Sequence, residues 1–74
     1  MNVRASHVRP GDTITGIWST ARDRFDQCLF TAHRVHLETT PQGVAIVTYG
    51  TGPYAWQTAT YCADTVVRIR EDRS

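Results

Sequence analysis

The chain has 74 residues, with eight arginines and no lysine set against seven acidic residues, for a formal charge of +1. That length holds a single domain, and a hydrophobic content of 41% is ordinary globular usage, which excludes a wholly disordered chain. No apolar run approaches the ~20 residues of a membrane-spanning helix. The segment Met1 to Pro10 lacks the apolar stretch of a secretory signal, and the near-neutral balance excludes a binder that works mainly by neutralising many phosphates.

Good helix formers are scarce, while Thr, Val, Ile and aromatic residues are abundant, which is strand composition. Asn2-Val3-Arg4 reads as a short strand, followed by one turn over Ala5 to Val8 and a tight turn at Pro10-Gly11-Asp12. Proline presets φ there, and glycine tolerates a positive φ. Thr13 to Ser19 follows as a strand, with Ile14, Gly16 and Trp18 expected on one face and Thr13, Thr15 and Ile17 on the other. Thr20 to Gln27 has only Phe25 to bury among Arg22, Asp23, Arg24 and Asp26, and reads as an exposed loop or a distorted hairpin tip. Cys28 to Thr39 is the longest strand expected. Its likelier core face is Leu29, Thr31, His33, Val35 and Leu37, opposite Cys28, Phe30, Ala32, Arg34, His36 and Glu38.

Thr40-Pro41-Gln42-Gly43 turns that strand into Val44 to Tyr49, the firmest hairpin in the chain. Gly50-Thr51-Gly52-Pro53 breaks the run. Extended structure resumes over Tyr54 to Tyr61, and Thr65 to Arg70 forms a last strand, with Asn2-Val3-Arg4 expected beside Val67-Arg68-Ile69 to cover its edge. The reading is all-β: one domain over residues 1–70 with a polar tail at 71–74, arranged as a small five-stranded antiparallel SH3-like barrel. An OB-like barrel or a strongly bent open sheet is the runner-up.

The phrase Val3-Arg4-Ala5-Ser6-His7-Val8-Arg9-Pro10-Gly11-Asp12-Thr13-Ile14, with the ending Val66-Val67-Arg68-Ile69-Arg70, resembles small SH3-like β-barrel proteins of actinobacteria and their phages. The resemblance implies a barrel that serves as a protein-binding, nucleic-acid-binding or virion-associated module. It implies no functional residues, because Pro-Gly-Asp is a turn device. An arginine-only cation content fits the same GC-rich origin.

His33 and His36 stand at i, i+3, which puts them on opposite faces of a strand, and Cys28 and Cys62 each lack a nearby second thiol, so no metal is expected. Two cysteines are also too few for a disulfide scaffold. A trio of Cys28, His33 or His36, and Asp26 can be assembled for nucleophilic catalysis, but no spacing selects it, and a barrel this small seldom excludes water from a pocket. An enzyme is not expected, nor a cofactor.

Two surfaces remain. Tyr49, Tyr54 and Trp56 flank the Gly50–Pro53 turn, and such rings are enriched at interface hot spots; the competing reading is that Trp56 plugs the barrel end and the tyrosines line its rim. Arg34 with His36, and Arg68 with Arg70, would form a cationic stripe for nucleic acid if their strands were neighbours. The leading expectation is a non-enzymatic module that binds a host factor or virion component through Tyr49, Tyr54 and Trp56. A nucleic-acid partner through Arg34, Arg68 and Arg70 is the alternative. Further expectations are a cytoplasmic location (the bacterial host's, if phage-encoded), no membrane partner, and a homo-oligomer as an added route to stability.

Overall fold

A computed structural model describes residues 1–52 and 57–70. It is all-β, with seven strands among the described residues: β1 (Asn2–Arg4), β2 (Thr13–Ser19), β3 (Arg24–Thr31), β4 (Arg34–Thr39), β5 (Ala45–Gly50), β6 (Thr58–Cys62) and β7 (Val66–Ile69). They form two antiparallel sheets, ordered β1-β7-β2-β3 and β4-β5-β6. One 3-10 turn at Ala5–His7 sits where the single turn is expected. The expected edge pairing is present, with Asn2, Val3 and Arg4 opposite Arg68, Val67 and Val66. The five-stranded closed barrel is not: no ladder joins the two sheets into a ring among the described residues.

Short-range turn chemistry accounts for the connections. In Arg9-Pro10-Gly11-Asp12 the Asp12 N–H donates to the Arg9 carbonyl at 3.0 Å and Gly11 takes a φ of +97°, the type II pattern with proline second and glycine third. The Asp12 carboxylate accepts the Arg9 N–H at 2.9 Å. The turn is also stitched to the junction of the two sheets, since Gly11 N–H donates to the Ala32 carbonyl at 2.8 Å and Ala32 N–H to the Asp12 carbonyl at 2.9 Å. Asp12→Ala leaves the Arg9 N–H without this acceptor and is expected to cost about 2 kcal/mol. A thermal melt roughly 10 °C lower checks this. The Thr40 to Val44 connection closes the β4-β5 hairpin, with Gly43 at φ +82° and Thr40 N–H donating to the Val44 carbonyl at 2.8 Å.

Two phase shifts overturn the expected face assignments. The pairing of β2 slips between Ile14 and Gly16, so that Ile14 lies opposite Ile69 while Gly16 lies opposite Arg68 and Ile17 opposite Val67. Ile14 and Ile17 therefore both reach the core, and Gly16 and Trp18 turn outward. The second shift divides the expected Cys28–Thr39 strand in two. Ala32 and His33 leave the ladder, and the chain passes from one sheet to the other. Cys28, Phe30 and Ala32 face the core before this corner and Val35 after it, whereas Leu29 is 70% exposed. Of the charged segment, residues 20–23 form the expected hairpin tip, and from Arg24 onward the chain is ladder, paired with the end of β2.

The core between the sheets is built from Ala5, Val8, Ile14, Ala32, Val47, Tyr49, Val67 and Ile69. Tyr49 is its largest fully buried side chain. Its ring packs 6.4 Å from that of Phe30 and 6.0 Å from that of Tyr61, and its hydroxyl donates to the Ala5 carbonyl. Burial raises the Tyr49 phenol well above its ordinary pKa, with Tyr61 and Asp12 adding to the shift.

Candidate functional site: the outer face of β7, β2 and β3

The slip in β2 builds a surface. Gly16 stands opposite Arg68 on one side and Gln27 on the other, and Trp18 stands opposite Phe25. With no side chain at Gly16, the Arg68 guanidinium lies across β2; a Cβ at Gly16 would sit 2.9 Å from its terminal nitrogen. Thr15, the residue at the slip, holds it. Arg68 Nε donates to Thr15 Oγ1 at 3.3 Å and a terminal nitrogen to the Thr15 carbonyl at 3.4 Å, while the Thr15 hydroxyl donates to the Arg68 carbonyl at 3.3 Å.

The guanidinium carbon lies 5.1 Å from the centroid of the Phe25 ring, within cation–π reach. Trp18 meets Phe25 edge-on, at 5.2 Å between centroids and 78° between planes. All three side chains are half-buried, so the stack is fixed but open on one side. Leu29, on the same side of β3, is largely exposed, and Val66 is partly so. Arg4, opposite Val66, and Arg70, just past β7, have the same outward phase, and both are exposed. No acidic residue stands at an outward-facing position of this sheet among the described residues. Beside Phe25, a shallow depression is lined by Arg22, Arg24, Asp26 and Gln27, with Arg22 and Asp26 paired at 2.9 Å.

The residues expected to carry function do not assemble as the sequence suggests. Tyr49 is a core residue with no exposed surface and cannot present a ring to a partner. Tyr54 and Trp56 lie outside the described residues. Arg34 belongs to β4, in the other sheet from Arg68, with its stem beside Gly50, where an added Cβ would sit 3.2 Å from the Arg34 Cβ. The single stripe of Arg34, Arg68 and Arg70 therefore does not exist, because β7 lies between β1 and β2 and β4 pairs with β5. Arg68 and Arg70 remain together on one face. Phe25 and Leu29 were missed as surface residues; a lone phenylalanine within a charged segment was the available signal for the first.

Among the described residues no three His, Cys, Asp or Glu side chains lie close enough to hold a metal. Nor is any helix long and apolar enough to cross a membrane. Cys28 and Cys62 are free thiols on strands of different sheets, the first partly buried and the second exposed. Burial raises the Cys28 pKa, outweighing the opposing charge of Arg68, and Asp26 adds to the rise. Cys62 is therefore expected to react first, and Cys28 at least tenfold more slowly, when native protein is titrated with a thiol reagent at pH 8. Equal rates would mean that Cys28 is accessible.

No family model, curated protein or solved structure matches the chain.

Proposed function

We propose that the protein is a small non-enzymatic binding module that recognises another protein through the outer face of β7, β2 and β3, centred on Trp18, Phe25, Leu29 and Arg68. The observation that carries this reading is the Arg68–Phe25–Trp18 stack, held in place yet open to solvent. Tryptophan and arginine dominate interface hot spots, and a fixed guanidinium-aromatic stack loses little side-chain entropy on binding. A largely exposed leucine on the same face is what a protein partner would cover. The order β7-β2-β3 in one sheet and β4-β5-β6 in the other supports an SH3-like arrangement. With the resemblance of the opening residues, that suits an accessory role in an actinobacterium or its phage, on a host factor or a virion component.

A second reading has its own support. Arg4, Arg68 and Arg70 share a face with two aromatic rings, and among the described residues no acidic residue stands at its outward-facing positions, which is the pattern of a single-strand nucleic-acid platform. A capture experiment with Leu29→Asp, Trp56→Ala and the unaltered chain, run beside an oligonucleotide titration at two salt concentrations, separates them. The protein reading expects partners lost with Leu29→Asp and retained with Trp56→Ala. Loss only with Trp56→Ala would return the site to the loop, and oligonucleotide binding that weakens steeply with salt would favour the nucleic-acid reading.

A further inference from the structure

We propose that a second copy of this chain pairs antiparallel along the free edge of β4, about a two-fold axis through His36. β4 pairs only with β5 among the described residues, so its other edge carries unpaired backbone groups. It is six residues of regular ladder with no proline or bulge to blunt it, and its two charged residues, Arg34 and Glu38, are of opposite sign. By contrast, β1, at the end of the other sheet, is only three residues long.

The backbone fixes which groups are available. Thr40 N–H donates to the Val44 carbonyl, while the Val44 N–H returns to the Thr40 hydroxyl, so the Thr40 N–H points toward β5. Because bonded pairs alternate along an antiparallel ladder, Arg34, His36 and Glu38 turn their N–H and C=O groups toward β5. Val35, Leu37 and Thr39 turn theirs to the free edge.

A copy centred on His36 meets that pattern. Val35 would face Leu37 of the copy as a mutually bonded pair, twice by symmetry. Arg34 would face Glu38 of the copy as the closer, non-bonded pair, also twice. Both contacts are favourable. The side chains of Arg34, His36 and Glu38 share the outer side of the sheet, so each arginine gains a carboxylate directly opposite. Val35 packs against the core from the inner side, while Leu37, in the same phase, remains 54% exposed and would be covered by the copy's Val35. Glu38 already lies 3.5 Å from His36 on its own strand, so the two imidazoles at the axis would each keep a carboxylate beside them.

Such an interface is isologous, as a two-fold requires. A six-residue edge buries less than the roughly 1,200 Å² of a standard stable complex, so the dimer is weak, with a Kd on the order of 100 µM.

Sedimentation velocity on the full chain at pH 8, from roughly 10 µM to 1 mM, tests this. The expected result is a concentration-dependent rise toward the dimer. Arg34→Glu and Glu38→Arg should each weaken self-association about tenfold, because both symmetric pairs become like-charged, and Leu37→Asp should abolish it. The double variant, with both charges exchanged, should recover to within about threefold of the original, since the opposite pairing is restored. Circular dichroism of each variant reports whether the fold is intact, and the Glu38→Arg and Leu37→Asp arms stand if Arg34→Glu is destabilised through its packing on Gly50. A monomer throughout the range, a dimer indifferent to the single charge reversals, or a double variant that fails to recover would each overturn the proposal.

Discussion

Tyr49→Ala is expected to leave the protein without a cooperative unfolding transition at 25 °C. Truncating a large buried aromatic removes its transfer free energy and leaves a cavity, together costing about 3 to 5 kcal/mol. A core in a chain this short supplies only about that much in total. The loss would fall at the centre, since Tyr49 bridges Phe30 of one sheet and Tyr61 of the other and ties the 3-10 turn down through the Ala5 carbonyl. Tyr49→Phe separates ring from hydroxyl. It keeps the packing, leaves the Ala5 carbonyl without this donor, and should cost about 1 to 2 kcal/mol.

The same residue sets an alkaline limit. The phenol ionises near 10 in an unfolded chain but is held well above that by burial in the folded one. The unfolded state therefore releases its proton first, so stability is fully present below pH 10 and declines as pH rises above it. Tyr61, also raised by burial, contributes in the same direction. Denaturant melts between pH 8 and pH 11 should show a decline that is shallower in Tyr49→Phe. An equal decline in both proteins would place the effect elsewhere.

Trp18→Ala is expected to weaken binding of the protein partner at least about 30-fold, the loss typical of a hot-spot residue costing 2 kcal/mol or more. The fold should survive, because Trp18 points away from the core and only its edge contact with Phe25 is lost, worth about 1 kcal/mol. Gly16→Ala is the companion variant. Its new Cβ would meet the guanidinium of Arg68, the mobile end of a long side chain, so the arginine should be displaced from Phe25 without disturbing the ladder. Calorimetric titration of the captured partner should then show weaker binding for both variants with similar melting temperatures. Unchanged affinity in Trp18→Ala would remove this face from the binding site.

The features legible in the sequence are those whose cause lies within a few residues. Pro10-Gly11-Asp12 and Thr40-Pro41-Gln42-Gly43 carry their turn chemistry in their own side chains, and the β4-β5 hairpin follows from alternation across such a turn. The pairing of Asn2-Val3-Arg4 with the last strand was legible from the need to cover an edge. What failed was phase. Strict alternation placed Leu29 inside and Cys28 outside, because the corner at Ala32 and His33 is created by bonds to Asp12 and Gly50, both distant in sequence. The turn that begins at Gly50 suggests a surface or rim position for Tyr49, yet its phase on β5 puts it beside Val47 in the core. The outer face of β7, β2 and β3 was invisible for a related reason: it depends on Thr15 slipping the ladder, and that slip is set by how β2 fits β7.

That slip makes strand length a functional variable. Removing Thr15 would bring Ile14, Gly16 and Ile17 into succession opposite Ile69, Arg68 and Val67, a regular ladder in which Ile17 still faces inward and Trp18 outward. The core would keep its side chains, but the hydroxyl and the carbonyl that hold the Arg68 guanidinium would be gone. The extra residue is therefore a device of the face and not of the core: a deletion there should leave the buried side chains in place and loosen the arginine, and engineering of the face has to conserve the bulge before it conserves any neighbouring side chain.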